Sequence, residues 1–419
     1  MHPYGGEKNV RRNLFLYIID GLSFVPAMAL ISVSTVIPFF LEQLEASTLQ
    51  MAIVTSLALV CTFVTQPFFG AVATRAKKMH MTFGKILLLQ RFVFFAFILS
   101  IPLFAGNYSL LIWMFIIFWG IFNLFAGSYS VFFIPLILKL LPPDKRGGLR
   151  GIGFAIGSGL GFLMAALIPV IHGRIAFPYD FVLIFSLGCM FLFVNAIVFV
   201  FMREHDDVEP RVPMSTIEFI KGIAATLKEN RLFRTMVLMC MFLMLANSLL
   251  FLYTVYAMRV FDATSYHIAT LTAMGVASGA VGFIVFGFII DRFGPKYNVA
   301  IATVLITMAG ALALITNSLV FLYVAWVFAN LAATCYMSAV SLLLGDVAPS
   351  EKLPLYAGVL NIITLALSSV AVLTIAPAIE RFGFSLLFIT VLGCGVISFT
   401  LYFALFKKQL DAKQAHNIS

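Results

Sequence analysis

Twelve long apolar segments, separated by short polar ones, run through the 419 residues of this chain. Each is about 20 residues long or longer, which is the length that an α-helix needs to cross the hydrocarbon core of a bilayer. The pattern therefore predicts an all-α membrane protein with twelve transmembrane helices. The predicted spans, numbered 1 to 12 in chain order, are 14–40, 49–73, 83–104, 109–138, 151–171, 181–202, 233–258, 267–290, 299–316, 319–344, 355–378 and 384–406.

The composition agrees with a lipid environment. Hydrophobic residues make up 62% of the chain, charged residues only 11%, and the mean hydropathy is +1.05. A soluble domain carries about a quarter charged residues, so apolar side chains must here cover the outer surface as well. All five Cys lie within predicted spans at no metal-ligand spacing, and we interpret them as packing residues. Among the scattered His, those at span boundaries are expected to be solvated: His80, His172 and His267.

The basic residues lie on one side of the predicted membrane. With the N-terminus in the cytoplasm, all but four of the 27 Lys and Arg fall in cytoplasmic segments or at the cytoplasmic ends of spans. This positive-inside bias predicts that both termini are cytoplasmic, and it accounts for the net charge of +9 without a nucleic-acid partner. It also favours contact with anionic membrane lipid. The minimal loops are typical of bacterial proteins, so we expect a multi-pass protein of the bacterial plasma (inner) membrane. Its first span is expected to be an uncleaved helix.

The predicted spans form two groups of six. Residues 1–202 are predicted to form an N-terminal six-helix bundle and residues 233–406 a C-terminal one. Residues 203–232 are predicted to be a cytoplasmic linker, and 407–419 a cytoplasmic tail. Within the linker, Ser215 and Glu218 fit a capping box, and apolar residues follow at helical spacing. The linker therefore predicts a short amphipathic helix on the membrane surface.

Short stretches recur in the two halves. They lie at offsets of 207 to 217 residues, a drift that loops of different length account for. Parallel repeats of six helices predict a pseudo-two-fold axis along the membrane normal. The paired stretches are 70–75 with 287–292, 142–145 with 349–352, and Pro169 with Pro377.

The stretch after span 8 has the spacing G-x-x-x-D-R-x-G-x-K, with Gly287, Asp291, Arg292, Gly294 and Lys296. In a chain of twelve spans, it resembles the cytoplasmic signature of the major facilitator superfamily, and the resemblance covers nearly the whole chain. The resemblance implies the fold of that family, two pseudo-symmetric six-helix bundles that rock about a site between them.

The resemblance also implies a cytoplasmic gate. In the family, the signature Asp and Arg hold one gate state closed, a role that falls here on Asp291 and Arg292. Gly287 would allow close helix approach. Asp346, at the cytoplasmic end of span 10, is well placed to pair with Arg292. The alternative is that these are only solvated loop charges.

The first copy of the signature departs from the pattern. Arg75 remains, but Thr74 stands where the acid should be, and Leu140, 206 residues before Asp346 at the corresponding end of span 4, is not acidic. We therefore expect the gate to be carried mainly by the second half of the chain.

Two charged residues lie well inside predicted spans: Asp20 in span 1 and Arg91 in span 3. Both are roughly 10–12 Å from the cytoplasmic end at 1.5 Å per residue, and a charge in the bilayer interior is a functional candidate by default. Equal depth and opposite charge favour a structural pair. The alternatives are that Asp20 carries a coupling proton or that it contacts the substrate.

Three Asn lie near the middle of spans 4, 7 and 10: Asn123, Asn247 and Asn330. Asn123 and Asn330 are 207 residues apart, which matches the repeat offset. In the family that the chain resembles, these spans and span 1 line the central cavity. They also carry phenol groups, so we predict a substrate site of neutral donors and acceptors. The alternative is that each Asn only bonds a neighbouring helix. The phenols assigned to the site are Tyr129, Tyr253 and Tyr336.

Together these features predict a secondary transporter that moves a small neutral or amphipathic solute by alternating access, with export (efflux) favoured over nutrient uptake. A membrane sensor or scaffold on the same fold is the alternative from another class. The sequence has no phosphate loop and no metal-spaced His cluster, so we expect neither an enzyme nor a resident cofactor or metal. The energy would come from protons, another coupling ion or substrate exchange. We expect a monomer.

Overall fold

The computed structural model describes residues 7–204, 226–349 and 352–410. Within these ranges the chain is helical and contains no strand. Twelve helices are long and apolar enough to cross a membrane, which confirms the predicted fold class. The predicted amphipathic helix of the linker and nearly all of the tail lie outside the described residues.

The helices follow the predicted spans closely. Span 1 consists of α1 (Glu7–Leu30) and α2 (Val36–Gln43), and span 7 of α8 (Arg231–Ser248) and α9 (Phe251–Phe261). The other spans of the first half are α3 (Thr48–Arg75), α4 (Met79–Leu103), α5 (Tyr108–Leu140), α6 (Pro143–His172) and α7 (Tyr179–Phe201). Those of the second half are α10 (Ser265–Phe293), α11 (Pro295–Leu314), α12 (Leu319–Val347), α13 (Leu353–Phe382) and α14 (Ser385–Leu401), with a π-helical turn at Tyr402–Phe406.

Spans 1 and 7 are interrupted, which the apolar pattern did not predict. Residues 31–35 separate α1 from α2, and residues 249–250 separate α8 from α9. The two breaks begin 218 residues apart, close to the offset between the two signature stretches. The interruptions are therefore a shared feature of the two repeats.

Local chemistry accounts for both breaks. Residues 31–35 read Ile-Ser-Val-Ser-Thr, and β-branched or hydroxyl side chains disfavour a helix interior. The hydroxyls of Ser32 and Ser34 lie 3.2 Å apart, bonded to each other. In span 7, the amides of Leu249 and Leu250 bond to carbonyls three residues earlier, at 3.3 and 3.1 Å. Such tightened turns end an α-helix.

Glycines let span 5 pack directly on span 1. A Cβ added at Gly153 would lie 2.7 Å from the carbonyl oxygen of Ile18, and one at Gly157 would lie 2.6 Å from that of Gly21. Any larger side chain would push the two backbones apart. These glycines therefore fix the distance between α1 and α6.

Aromatic rings hold the short helix α2 in place. The ring of Phe40 contacts Phe97 of span 3, Phe115 of span 4, and Phe181 and Phe185 of span 6, with centroid distances between 4.9 and 6.1 Å. Span 1 thus continues beyond its break as a packed segment of the first half.

The helices contact one another in two compact units. The first comprises Met1–Pro213 with Ala263–Ala277, and the second comprises Met214–Asp262 with Ser278–Ser419. The start of α10 therefore groups with the first unit, where Thr272 Oγ1 donates to Thr35 Oγ1 at 2.8 Å. The sequence placed this segment in the second bundle, and the predicted domain boundaries stay a prediction.

Candidate functional site

A buried polar network joins spans 1, 3 and 6 inside the first unit. Asp20, Arg91 and Asn195 are all at most 4% exposed. The Asn195 amide Nδ2 donates to Asp20 Oδ1 at 2.7 Å, and Arg91 Nη2 donates to Asn195 Oδ1 at 3.1 Å. The structure thus brings the two predicted charges into one network, bridged by Asn195.

The other donors of Arg91 are also engaged. Its Nε donates to the Leu192 carbonyl at 3.3 Å, and its Nη1 donates to Gln90 Oε1. Gln90 Nε2 in turn donates to the Phe122 carbonyl at 2.8 Å. The guanidinium therefore has the partners that a buried cation requires. Whether the network serves structure or ion coupling stays a prediction.

Sequence reasoning missed Asn195 and Gln90. Asn195 is fully buried within the apolar run of α7, and Gln90 directly precedes Arg91. A polar side chain in an apolar span needs a partner, so both residues carried a signal. Neither residue carries a charge, and neither belongs to the set of three mid-span Asn in spans 4, 7 and 10.

The two repeat-equivalent Asn adopt the same local geometry. Asn123 Nδ2 donates to the Trp119 carbonyl at 2.8 Å, and Asn330 Nδ2 donates to the Trp326 carbonyl at 2.9 Å. Each unit thus carries a W-x-x-x-N turn in which the amide bonds its own helix. Their side-chain oxygens accept no hydrogen bond from any described residue.

A small pocket in the second unit contains two of the predicted site residues. Asn247 and Tyr336 line it, and the empty volume is about 200 Å³. Asn247 lies two residues before the break in span 7, and its side-chain amide bonds no other group of the described residues. The remaining walls are apolar: Leu243, Ile306, Ala332 and Ala333.

The two other tyrosines pack into hydrophobic surroundings. Tyr253 is fully buried against Trp326 and Phe388, and its hydroxyl has no partner among the described residues. Its assignment as a ligand contact stays a prediction. Tyr129 is half-buried and stacks on Phe133 at 4.7 Å.

The signature residues of the second half lie at the end of α10. Asp291 and Arg292 are exposed, and the Arg292 guanidinium lies 5.4 Å from the Phe293 ring centroid. Asp346 is exposed at the end of α12, and its pairing with Arg292 stays a prediction. Gly294 has φ +90° and directly precedes α11. Because this left-handed conformation favours glycine, the turn explains that signature position.

The close helix approach expected at Gly287 is not seen in this conformation. A Cβ added at Gly287 would meet no heavy atom of the described chain within 4 Å. Gly287 therefore does not sit at a close helix contact here. In the first copy of the signature, Arg75 ends α3 and is exposed.

An unpredicted acid lies at the matching face of the first unit. Glu204, just after α7, accepts from Lys139 Nζ at 2.9 Å and lies 3.0 Å from His80 Nδ1. The preceding residue, Arg203, is held by Asn13. Asn13 Oδ1 accepts from the Arg203 backbone N–H at 3.0 Å, and Asn13 Nδ2 donates to the Arg203 carbonyl at 2.9 Å. The first unit therefore has an acidic group at this face although its signature lacks one.

The environment of Glu204 favours its charged form. Burial alone raises the pKa of Glu204, but hydrogen bonds from His80 and Lys139 and the charge of Lys139 outweigh it. The pKa falls from 4.5 to about 2. His80 was expected to be solvated, yet it is buried in this contact.

A second His–acid contact lies where span 5 ends and span 6 begins. His172 Nδ1 is 2.6 Å from Asp180 Oδ2, and the Asp180 side chain is fully buried. His172, expected to be solvated, is half-buried beside this acid. Because α6 ends at His172 and α7 begins at Tyr179, the pair closes the turn between them.

Twelve spans in two units, with polar groups buried at mid-span, define a multi-pass membrane protein of the transporter type. The chain belongs to the Major Facilitator Superfamily, whose family model matches residues 16–288 and 256–417. No curated protein sequence matches the chain significantly.

Three solved structures with this fold are distant from this chain in sequence. The nucleoside transporter NupG has a TM-score of 0.69 at 11% identity, over 95% of this chain and 100% of that one. The human organic anion transporter MFSD10 (TETRAN) has 0.66 at 16%, over 94% and 99%. A bacterial homologue of the human lysosomal transporter Spinster, inward-facing and unoccupied, has 0.65 at 15%, over 98% of each chain. At such identities the likeness shows the fold and leaves the substrate open.

Proposed function

We propose that this protein is a secondary active transporter that exports a small neutral or amphipathic solute by alternating access. The observation that carries the proposal is the pair of amides at Asn123 and Asn330. Each bonds its own helix in the same way, at repeat-equivalent positions in mid-span. Two related half-sites suit a carrier that rearranges about a ligand at the bilayer midplane.

The polar groups offered to a ligand are uncharged. Asn247 and Tyr336 supply an amide and a phenol within an otherwise apolar pocket, and such groups orient a neutral or amphipathic molecule. The buried charges Asp20 and Arg91 are engaged with Asn195 and belong to the first unit. A strongly charged solute would find no counter-ion among the described residues that line the pocket at Asn247.

The energy source and membrane placement are further parts of the proposal. Protons or another ion would drive transport, and Asp20 is the candidate proton carrier because it is the acid buried at mid-depth in span 1. The bias of Lys and Arg supports cytoplasmic termini in a plasma membrane. The exposed charges at the end of α10 support a gate at that face.

A thermal-shift screen of the purified protein against metabolites and drug-like compounds tests the proposal. A ligand at 100 times its dissociation constant stabilises the folded state by about 2.7 kcal/mol. We expect Asn330→Ala and Asn123→Ala each to remove most of a hit's stabilisation. Thr400→Val is the matched control, since Thr400 is exposed and also bonds its own helix, at Val396.

Counterflow in proteoliposomes then separates transport from sensing, because exchange of labelled for unlabelled hit needs no coupling ion. Saturable counterflow that fails in Asn330→Ala supports the carrier. A hit that binds but shows no counterflow at any pH would favour a membrane sensor instead. If an inward proton gradient drives the labelled hit into right-side-out vesicles, the protein is an importer and the proposed direction of transport is wrong.

A further inference from the structure

Four basic side chains cluster where span 2 ends and span 3 begins. Arg75 is the last residue of α3, Lys77 and Lys78 lie in the following loop, and Lys85 lies in the second turn of α4. All four are exposed, and within the described ranges none is in an ion pair. Glu204, the acid described at this face, is already bonded to other side chains. The cluster is therefore a positive patch that the described chain does not neutralise.

Lys85 stands on the outer, lipid-facing side of its helix. Further along α4, the exposed positions are large and apolar: Leu89 at 53%, Phe92 at 57%, Leu99 at 54% and Leu103 at 76%. The steps of three, four and seven residues place them on one stripe with Lys85. The opposite side of α4 is buried in the first unit. An isolated ammonium on such a stripe is costly unless it reaches an anion at the membrane surface.

The direction of α4 allows that contact. Side chains on a helix lean towards its N-terminus, and α4 begins at the face that carries Lys77 and Lys78. Lys78 directly precedes α4, and Lys85 follows seven residues later, about 10 Å further along the axis at 1.5 Å per residue. Two ammonium groups can therefore converge on one headgroup while the stripe beyond them lies against an acyl chain.

The second half lacks this arrangement. The signature offset of 217 residues takes Lys78 to Pro295 and Lys85 to Ala302, which is fully buried. The cations that do occur there, Arg292 and Lys296, lie over the rings of Phe293 and Tyr297. The patch is thus a property of the first unit and not of the signature in general.

We propose that Lys78 and Lys85, assisted by Arg75 and Lys77, bind the headgroup of an anionic phospholipid. The phosphate sits between the two ammonium groups, and one acyl chain follows the stripe of Leu89, Phe92 and Leu99. The site goes beyond transport and does not depend on which solute is carried. It would make the stability of the first unit depend on the charge of the surrounding lipid.

Titration of the purified full-length protein in neutral detergent with phosphatidylglycerol tests the site, with binding and the unfolding midpoint measured together. The double variant Lys78→Gln/Lys85→Gln is expected to weaken phosphatidylglycerol binding by about fivefold per lysine. Lys228→Gln/Lys352→Gln is the matched control, because it removes the same charge from exposed lysines elsewhere. Lys78→Arg/Lys85→Arg, which keeps both positive charges, should retain binding. Since all these side chains are exposed, each variant should elute as the folded protein.

Titrations with different lipids show what the positive patch recognises. The proposal holds if phosphatidylglycerol binds more tightly than phosphatidylcholine and only the 78/85 Gln variant loses that preference. It is overturned if both lipids bind alike, or if the control variant loses as much affinity, since either result means diffuse attraction. Equal protection by water-soluble glycerol phosphate would also overturn it, because the apolar stripe would then play no part.

Discussion

Replacing Glu204 by Gln keeps the size of the side chain but removes the charge that Lys139 and His80 contact. The pKa of Glu204 falls from 4.5 to about 2 on folding, which corresponds to roughly 3 kcal/mol at neutral pH at about 1.4 kcal/mol per pKa unit. The Lys139 side chain is 25% exposed, so solvent screens part of this contribution. We expect Glu204→Gln to lose about 1–3 kcal/mol and to lower the unfolding midpoint by several degrees.

The sign of the pH dependence follows from the lowered pKa of Glu204. A depressed carboxyl pKa contributes stability that is fully present above the unfolded-state value and is lost as the pH falls through the folded-state value. The difference between the wild type and Glu204→Gln should therefore be constant from about pH 8 to pH 5. It should shrink below pH 4.5 and nearly vanish towards pH 2.

Thermal unfolding in detergent, recorded from pH 3 to pH 8, measures this difference. Glu229→Gln is the matched control, because Glu229 is exposed and has no described partner. A double-mutant cycle with Lys139→Gln then isolates the ion pair, since the second substitution should cost little once Glu204 is neutral. The reasoning is refuted if Glu204→Gln matches the wild type at pH 7, or if its deficit is as large at pH 3.

Three further predictions use the same protein preparations. Asn195→Leu strips hydrogen bonds from two buried charges and should destabilise by about 3–5 kcal/mol in thermal unfolding; an unchanged midpoint would contradict the bridging role. Gly157→Ala should destabilise by about 1–3 kcal/mol because its Cβ would meet backbone at 2.6 Å. Gly159→Ala, with nothing within 4 Å, should stabilise by up to about 1 kcal/mol, so equal shifts would argue against the close packing. Asp291→Asn should impair counterflow much more than Thr74→Ala. Equal effects would contradict the hypothesis that the second half of the chain carries the gate.

The membrane spans could be predicted from sequence because apolar length is a local property that lipid imposes on every span. The breaks in spans 1 and 7 could not, since residues 31–35 and 249–250 remain apolar enough to belong to a span. What interrupts the helix is competition from hydroxyl groups and tightened turns. A window that averages hydropathy does not register that competition.

Residues of the candidate site could be predicted only where a charge inside a span or a repeat-equivalent position marked them. The depth of Asp20 and Arg91 sufficed to suggest that they associate. Their link through Asn195 depends on a contact 175 residues away from Asp20, which no local pattern encodes. Glu204 was overlooked for the same reason, because its partners come from two other spans.

The two repeats share features of backbone geometry but differ in their buried charges. The helix breaks and the amides of Asn123 and Asn330 recur in both units, whereas Asp20 and Arg91 have no charged counterpart inside the described spans of the second unit. A proton or ion that drives transport would therefore act through the first unit, and the pocket at Asn247 would act mainly on solute choice. Substitutions at Asp20 should then change the pH dependence of counterflow at constant solute preference. Substitutions at Asn247 should change the preference and leave the pH dependence unaltered.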